Sequence, residues 1–207
     1  MYLFTRSRKF APNNAADAVA WSVETAGKAT QISGLPVTAW GSMWGEDVGT
    51  VVWSAFVDDL AALEEAGDKL AVDSGFNQRL ADADAMFTGP VVDSLAQLIH
   101  GEPRAEPPGY VTAVTARLAN GRFNDGIAAA IEIAQTAEAI GGHPTSVALA
   151  VTGAYGGLVF VTGFPDIGTL QGGESALNAD PKFAALIDRV GDCFQADAQQ
   201  AIYRRLV

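Results

Sequence analysis

The side chains that could bind or react with a small molecule form three sets in this chain of 207 residues. Trp40 and Trp44 lie four residues apart in a predicted strand, which would place both indoles on one face of a sheet. The other candidates are a pair of arginines on an earlier strand and the chain's two histidines: Arg6, Arg8, His100 and His143. Indoles wall pockets for flat hydrophobic ligands, paired guanidinium groups hold carboxylates or phosphates, and an imidazole is a base or a metal ligand. The sequence therefore offers parts of a binding pocket.

Other reaction chemistries find no support in the sequence. There is no Cys/His cluster with metal-ligand spacing, so no metal site is predicted. No Gly-x-Ser-x-Gly elbow occurs, and Cys193 falls in a helical pattern, where a small core residue is the simpler interpretation. The glycine-rich stretch 153–157 lacks the Gly-Lys-Ser/Thr ending of a phosphate loop and is interpreted as a hairpin turn.

A tandem repeat organises the elements that must position these residues. One offset of 108 residues matches Tyr2 with Tyr110, Pro36 with Pro144 and Phe56 with Phe164. An offset of 107 matches Asp73 with Asp180 and Phe76 with Phe183, so a single deletion is expected between the two sets. The repeat predicts two units, residues 1–100 and 110–207, joined by a linker at 101–109 that holds three prolines.

Each copy is predicted to have the order βαββαβ. In the first copy, alternation and capping signals predict strands at 2–10, 36–44, 48–57 and 91–100, a turn at 45–47, and helical regions at 14–34 and 58–86. In the second, they predict strands at 110–118, 145–153, 157–164 and 201–206, with helices at 124–140 and from 180 onward. This is a ferredoxin-like α+β unit, with both helices on one face of an antiparallel sheet. Two such sheets are expected to cover each other's bare faces in an intramolecular α+β barrel.

This layout, with Asp180-Pro181-Lys182-Phe183 opening the last helix, resembles the dimeric α+β barrel superfamily, particularly its NIPSNAP-like and antibiotic biosynthesis monooxygenase-like members. The resemblance implies a place for a ligand, and it implies activities that include cofactor-independent monooxygenases and haem-binding proteins. The chlorite-dismutase-like branch, which also fuses two units, uses a haem-ligating histidine in its second half. No cofactor is expected here, but a haem would have to be held by His143 or His100.

The pocket hypothesis rests on an asymmetry between the two copies. Thr38, Trp40, Ser42 and Trp44 correspond to Ser146, Ala148, Ala150 and Thr152, so one copy has indoles where the other leaves room. Arg6 and Arg8 correspond to Val114 and Ala116, which suggests an anion-binding role for the arginines. Trp53, in the predicted third strand, is also a candidate to line this pocket. The alternative is that the indoles simply fill the interior.

The net charge of the chain limits the kinds of partner that it can bind. At −11, the chain would repel phosphate backbones and anionic membrane surfaces, so neither nucleic acid nor a membrane is expected. No apolar run reaches the ~18 residues that a membrane span needs, and a cytoplasmic location is the default expectation. The sequence leaves open whether the protein forms homo-oligomers.

Three hypotheses follow. The first is a barrel protein that binds a small hydrophobic ligand, either neutral or anionic, between its two sheets. The second is a cofactor-independent monooxygenase acting on an aromatic or polyketide-like substrate. The third is a structural or assembly protein with a fully packed interior and no ligand.

Overall fold

The structure is a computed structural model that describes residues 1–45 and 48–207, so the turn predicted at 45–47 falls partly outside the described residues. The first copy contains β1 (Tyr2–Phe10), α1 (Ala15–Ser33), β2 (Thr38–Trp44), β3 (Thr50–Val57), α2 (Leu60–Val72), α3 (Ser74–Asp82) and β4 (Phe87–His100). The second contains β5 (Tyr110–Arg117), α4 (Phe123–Gly141), β6 (Thr145–Ala150), β7 (Gly157–Phe164), α5 (Ile167–Ala179), α6 (Pro181–Val190) and β8 (Gln199–Arg205). Each copy thus has the predicted order, with its second helical region split in two.

The strands are hydrogen-bonded in the order β1-β3-β2-β8-β5-β7-β6-β4, which closes into a barrel. The predicted fold class, α+β with a barrel of antiparallel strands from two ferredoxin-like copies, is confirmed. Two compact units can be distinguished: unit 1 comprises Met1–Leu95 and Arg204–Val207, and unit 2 comprises Ala96–Tyr203. The units therefore differ from the sequence copies, because the last residues of each copy pack in the unit that the other copy builds.

The splits in the helical regions arise from aspartate caps. Asp73 accepts a hydrogen bond from the Phe76 N–H at 2.7 Å and begins α3, and Asp180 accepts from the N–H groups of Lys182 and Phe183 to begin α6. A carboxylate in this position satisfies N–H groups that the first helical turn leaves unpaired. The interruption predicted near Asp73 is thereby explained.

In unit 1, the sheet packs on α1 through one face only. β1 pairs with β3 so that Tyr2 lies opposite Val57, and β2 pairs with β3 so that Ala39 lies opposite Trp53. Ala39, Val51 and Trp53 pack against α1, which defines the helix-covered face. Because side chains alternate along a strand, the intervening residues lie on the opposite side. We call this side the far face of unit 1; it carries Thr5, Ser7, Thr38, Trp40, Ser42, Val52 and Ser54.

Unit 2 repeats this arrangement. Ala130 and Ala134 of α4 pack on Val147, Leu158 and Phe160, so the far face of unit 2 carries the intervening residues. Its far-face positions are Ala113, Thr115, Ser146, Ala148, Ala150, Val159, Val161 and Gly163.

Strand pairing corrects the position of the deletion between the copies. Tyr2 lies opposite Val57 and Tyr110 lies opposite Phe164, so Val57 rather than Phe56 corresponds to Phe164. The predicted match of Phe56 with Phe164 is therefore wrong, since these residues lie on different faces. Ala39 still corresponds to Val147 at the offset of 108, because each lies opposite an equivalent residue of the next strand. The deletion thus lies between the second and third strands of the copy, not after the third.

Within the described residues, no helix has both the length and the apolar character that crossing a membrane requires.

Candidate functional site

The far face of unit 1 holds an indole fixed among hydroxyl groups. Trp40 lies opposite Val52, and its side chain is almost fully buried, with 8% of its surface exposed. Its Nε1 donates a hydrogen bond to Ser54 Oγ on the neighbouring strand at 2.9 Å. Because this bond uses the indole's one polar group, the ring is held in a single orientation, with its apolar faces left for packing.

Ser42 stands out among the hydroxyl groups of this face. It lies two residues after Trp40 on β2, and its Oγ is buried without a hydrogen-bond partner anywhere in residues 1–45 and 48–207. A buried hydroxyl that makes no hydrogen bond costs free energy, and a water molecule or a ligand group beside it would recover that cost. Thr5 and Ser7, on β1, extend the polar surface.

Charge is scarce on the far face of unit 1. Among the paired strand positions that the structure describes there, Lys9, opposite Thr50, is the single ionisable residue, and it is exposed at the end of β1. Apolar contact and neutral hydrogen bonds therefore dominate what this face can do.

Two further tryptophans were predicted to line the same pocket. Trp44 follows the alternation of Trp40 and Ser42, but it is the last residue of β2 and 53% exposed. Trp53 lies on the helix-covered face, where its Nε1 donates to the backbone oxygen of Ser22 at 3.1 Å and its ring packs edge-on against Trp21. The structure therefore brings Trp44 to the far face but separates Trp53 from Trp40.

The arginines also lie on the helix-covered face, away from Trp40. Arg6 lies opposite Trp53 and Arg8 opposite Val51. The predicted grouping of Arg6 and Arg8 with Trp40 in one pocket is therefore wrong for this register, because the even-numbered residues of β1 pair with odd-numbered residues of β3. Their roles in ligand binding, like that of Trp53, stay predictions.

Both guanidinium groups already have acidic partners. Arg6 forms two hydrogen bonds of 2.7 Å with the Asp93 carboxylate, and these bonds raise the pKa of Arg6 despite its partial burial. Arg8 lies 3.4 Å from Asp84, with its guanidinium carbon 4.8 Å from the centre of the Phe87 ring. An anionic ligand would have to compete with these carboxylates, while the buried Nε of Arg8 has no hydrogen-bond partner in the described residues.

The histidines lie in unit 2, on the helix-covered side of its sheet. His100 pairs with Val147 after an irregularity in β4, and Val147 is fully buried beneath α4. His143 packs against Phe164, with 4.8 Å between ring centroids, and lines a cavity of about 20 Å³. The cavity is also lined by Ala137, Gly141, Thr145, Thr162, Gly173, Glu174 and Leu177.

These surroundings do not fit a histidine-ligated haem. Pockets for molecules of drug size or larger begin at about 300 Å³, far above the volume beside His143. His100 pairs with a residue of the filled core under α4. For metal ions, the part of the chain that the structure describes has no group of three or more His, Cys, Asp or Glu residues placed to bind one.

Sequence reasoning missed the partners that give these candidates their surroundings. Ser54 was not connected with Trp40, although pairing β2 with β3 as a hairpin brings the two side chains together. Thr145, Thr162 and Glu174 were not connected with His143. Comparing the copies at an offset of 108 as far as the second strand and 107 from the third strand onward shows that Thr145, Thr162 and Glu174 replace Val37, Ala55 and Gly67.

No protein-family model matches this sequence, and no curated protein matches it either. Solved structures do match. A provisionally named monooxygenase of Fusobacterium nucleatum is 11% identical with a TM-score of 0.74, and the match covers 100% of this chain and 92% of the other. An anthrone oxidase-like protein is 12% identical with a TM-score of 0.70, covering 100% and 91%. Chlorite dismutase from Candidatus Nitrospira defluvii is 8% identical with a TM-score of 0.54, covering 99% and 91%. The chain has the fold of the dimeric α+β barrel proteins, and at these identities the likeness concerns the fold alone.

Proposed function

We propose that the far face of unit 1 binds a small, uncharged aromatic molecule, with Trp40 as the wall and Ser42 as the hydrogen-bond partner. The observation that carries this proposal is the buried Ser42 Oγ, which has no partner in the described residues. A ligand with one hydroxyl or carbonyl group would satisfy it. A flat aromatic ring is the ligand that would pack best against the indole, whose orientation is fixed by its bond to Ser54.

Charge favours a neutral ligand over an anionic one. Arg6 and Arg8 pair with Asp93 and Asp84 and lie on the helix-covered face, which leaves Lys9 as the cation of the far face among its paired positions. A carboxylate ligand would therefore lose its water without gaining a strong partner beside Trp40.

A second candidate is a cofactor-independent monooxygenase that acts on an aromatic or polyketide-like substrate. The names of two proteins of this fold, the Fusobacterium nucleatum monooxygenase and the anthrone oxidase-like protein, favour it. Such a reaction requires a proton to leave the substrate carbon before oxygen adds. The paired positions of the far face of unit 1 include no carboxylate and no imidazole, which favours binding over turnover.

Calorimetric titration with 1-naphthol and with anthrone tests the binding proposal. Ser42→Ala should weaken binding about fivefold to tenfold, because one hydrogen bond is worth about 1 kcal/mol net. Trp40→Phe should weaken it further, since the smaller ring also leaves Ser54 without its donor. Trp44→Phe is the matched control and should bind normally, because Trp44 lies at the exposed end of the strand.

Each outcome points to one hypothesis. Oxygen uptake with anthrone that disappears in Trp40→Phe would establish the monooxygenase. If neither compound binds the wild type, and Trp40→Ala lowers the free energy of unfolding by the ~3–5 kcal/mol of a core truncation, Trp40 is a packing residue and the proposal is wrong.

A further inference from the structure

The cavity in unit 2 has a polar lining where the corresponding place in unit 1 is apolar. His143, Thr145, Thr162 and Glu174 replace residues of the first copy that have no ionisable or hydroxyl group: Leu35, Val37, Ala55 and Gly67. The other lining residues, Ala137, Gly141, Phe164, Gly173 and Leu177, correspond to Ala29, Ser33, Val57, Ala66 and Leu70, of which the first four are buried. Because the two copies share one fold, the backbone does not require these polar residues.

The polar groups of the cavity include several hydrogen-bond acceptors. The hydroxyl groups of Thr145 and Thr162 are 2.8 Å apart and bond to each other, so each oxygen keeps acceptor capacity. Glu174 is half-buried and accepts from the Gln200 amide at 3.3 Å, a long contact that leaves carboxylate lone pairs free. A ring nitrogen of His143 that carries no proton is a further acceptor.

The size of the cavity limits what these acceptors can hold. About 20 Å³ accommodates a group of the size of one water molecule, and Gly173 keeps the space free. A Cβ at Gly173 would lie 3.0 Å from Phe164 Cε1 and 3.9 Å from His143 Cδ2. Unit 1 has Ala66 at this position.

We propose that this cavity binds an ammonium group, either as the free ion or as the head of a small alkylamine. An ammonium group has the size of water, carries several N–H donors and no acceptor, and is attracted to a carboxylate. Glu174, a threonine hydroxyl and the imidazole of His143 supply three acceptors, and Phe164 supplies an aromatic wall of the kind that favours ammonium ions. The net charge of −11 attracts cations to the protein in general.

The two histidines provide a direct probe. We would record the imidazole Cε1–H and Cδ2–H signals at pH 8, assign them with His100→Asn, and titrate with ammonium, methylammonium and butylammonium chlorides. His143 signals should shift in a saturable manner, while the His100 signals stay unchanged. Shifts with ammonium alone would identify the free ion, and shifts with the alkylamines as well would identify the head of a larger amine.

Three variants and two salts make the test specific. Glu174→Gln keeps the volume and should weaken binding roughly tenfold or more, because it removes a charge-assisted hydrogen bond. Glu138→Gln is the matched control: it removes the same charge from the exposed surface of the adjacent helix α4 and should bind normally. Gly173→Ala should fill the cavity and abolish binding, while alanine favours the helix in which it lies.

Sodium chloride and tetramethylammonium chloride should leave the His143 signals unchanged. Neither cation has an N–H donor, and tetramethylammonium is also too large for the cavity. Equal shifts with these salts would show general screening, and no shift with any amine would leave water as the occupant; either result overturns the proposal. The titration is independent of the 1-naphthol experiment, because the two involve different residues of different units.

Discussion

The two units share one fold, but they differ in polar residues on both faces of the sheet. In unit 1 the far face has an indole and hydroxyl groups, and the corresponding residues of unit 2 are small or apolar: Trp40, Ser42 and Ser54 against Ala148, Ala150 and Val161. On the helix-covered side the relation is reversed, with His143, Thr145 and Glu174 in unit 2 against Leu35, Val37 and Gly67 in unit 1. The comparison teaches that two copies of one fold can place polar side chains at different positions without a change in the strand pairing.

The arginines are a second difference between the units. Arg6 and Arg8 correspond to Val114 and Ala116, which pack in the core under α4. In unit 1 the same positions form ion pairs with Asp93 and Asp84. The edge of the unit 1 core is thus closed by charged residues whose stems and partners cover apolar surface.

The largest expected effect tests whether the helix-covered faces are equivalent. Trp53→Ala and Phe160→Ala truncate corresponding core residues, each 8% exposed, and each should lower the free energy of unfolding by about 3–5 kcal/mol. Trp53→Ala should cost more, because it also removes the hydrogen bond to the Ser22 oxygen. Denaturant unfolding measures both. The exposed Trp44→Ala should cost far less, and equal costs for Trp44 and Trp53 would contradict the assignment of faces.

The next prediction concerns the two arginines. Arg8→Ala should destabilise by about 1–2 kcal/mol, because the Arg8 side chain is only 17% exposed and covers the Phe87 ring. Arg6→Ala should cost no more than about 1 kcal/mol, since its pair with Asp93 is nearly half exposed on both sides. Thermal unfolding of the two variants at low and at 0.5 M salt checks this. A larger loss for Arg6, or a salt effect confined to Arg8, would argue against it.

A smaller effect concerns the aspartates that cap α3 and α6. Asp180 accepts from two N–H groups, whereas Asp73 accepts from the Phe76 N–H. Each alanine substitution should lower the free energy of unfolding by roughly 0.5–2 kcal/mol, and Asp180→Ala should be the more costly. Denaturant unfolding compares the pair. Asp73→Asn and Asp180→Asn each keep an acceptor oxygen, so these variants should retain most of the stability that the alanine variants lose.

The smallest effect depends on pH and concerns the cap of α5. The Thr169 N–H and hydroxyl hold the pKa of Asp166 below its usual value of 3.8. A carboxyl whose pKa is lowered in the folded state stabilises the protein above the unfolded pKa, and this contribution is lost as the pH falls through the folded value. The difference in Tm between wild type and Asp166→Ala should therefore be constant from pH 7 to about 5 and shrink below the unfolded pKa. Thr169→Val, which removes the hydroxyl but keeps the N–H, should narrow that window.

Much of the fold could be predicted because it depends on local pattern. The alternation of β2, which places Trp40 with Ser42, follows from the period of two in any strand. The break at Asp73 follows from its capping side chain. The barrel followed from two copies that each left a sheet face bare.

The arrangement of the candidate sites depends on pairing between strands, and that could not be read from one sequence. A shift of one residue in the pairing of β1 with β3 would move Arg6 and Arg8 to the side of Trp40. The matching of Phe56 with Phe164 followed residue identity, while the backbone had already lost one residue in the preceding hairpin. The cavity beside His143 depends on Gly173, which lies in α5, thirty residues after His143 in the sequence.

The exchange of chain ends between the units constrains the order in which the protein can fold during synthesis. Leu206 donates its backbone N–H to the Ala39 oxygen and packs in the core of unit 1, with one of its methyl carbons 3.1 Å from where a Cβ of Gly41 would lie. The ribosome must therefore translate all of unit 2 before unit 1 can acquire its last packing residues. A nascent chain that pauses in the second copy would leave exposed the strand and core residues that Leu206 later covers.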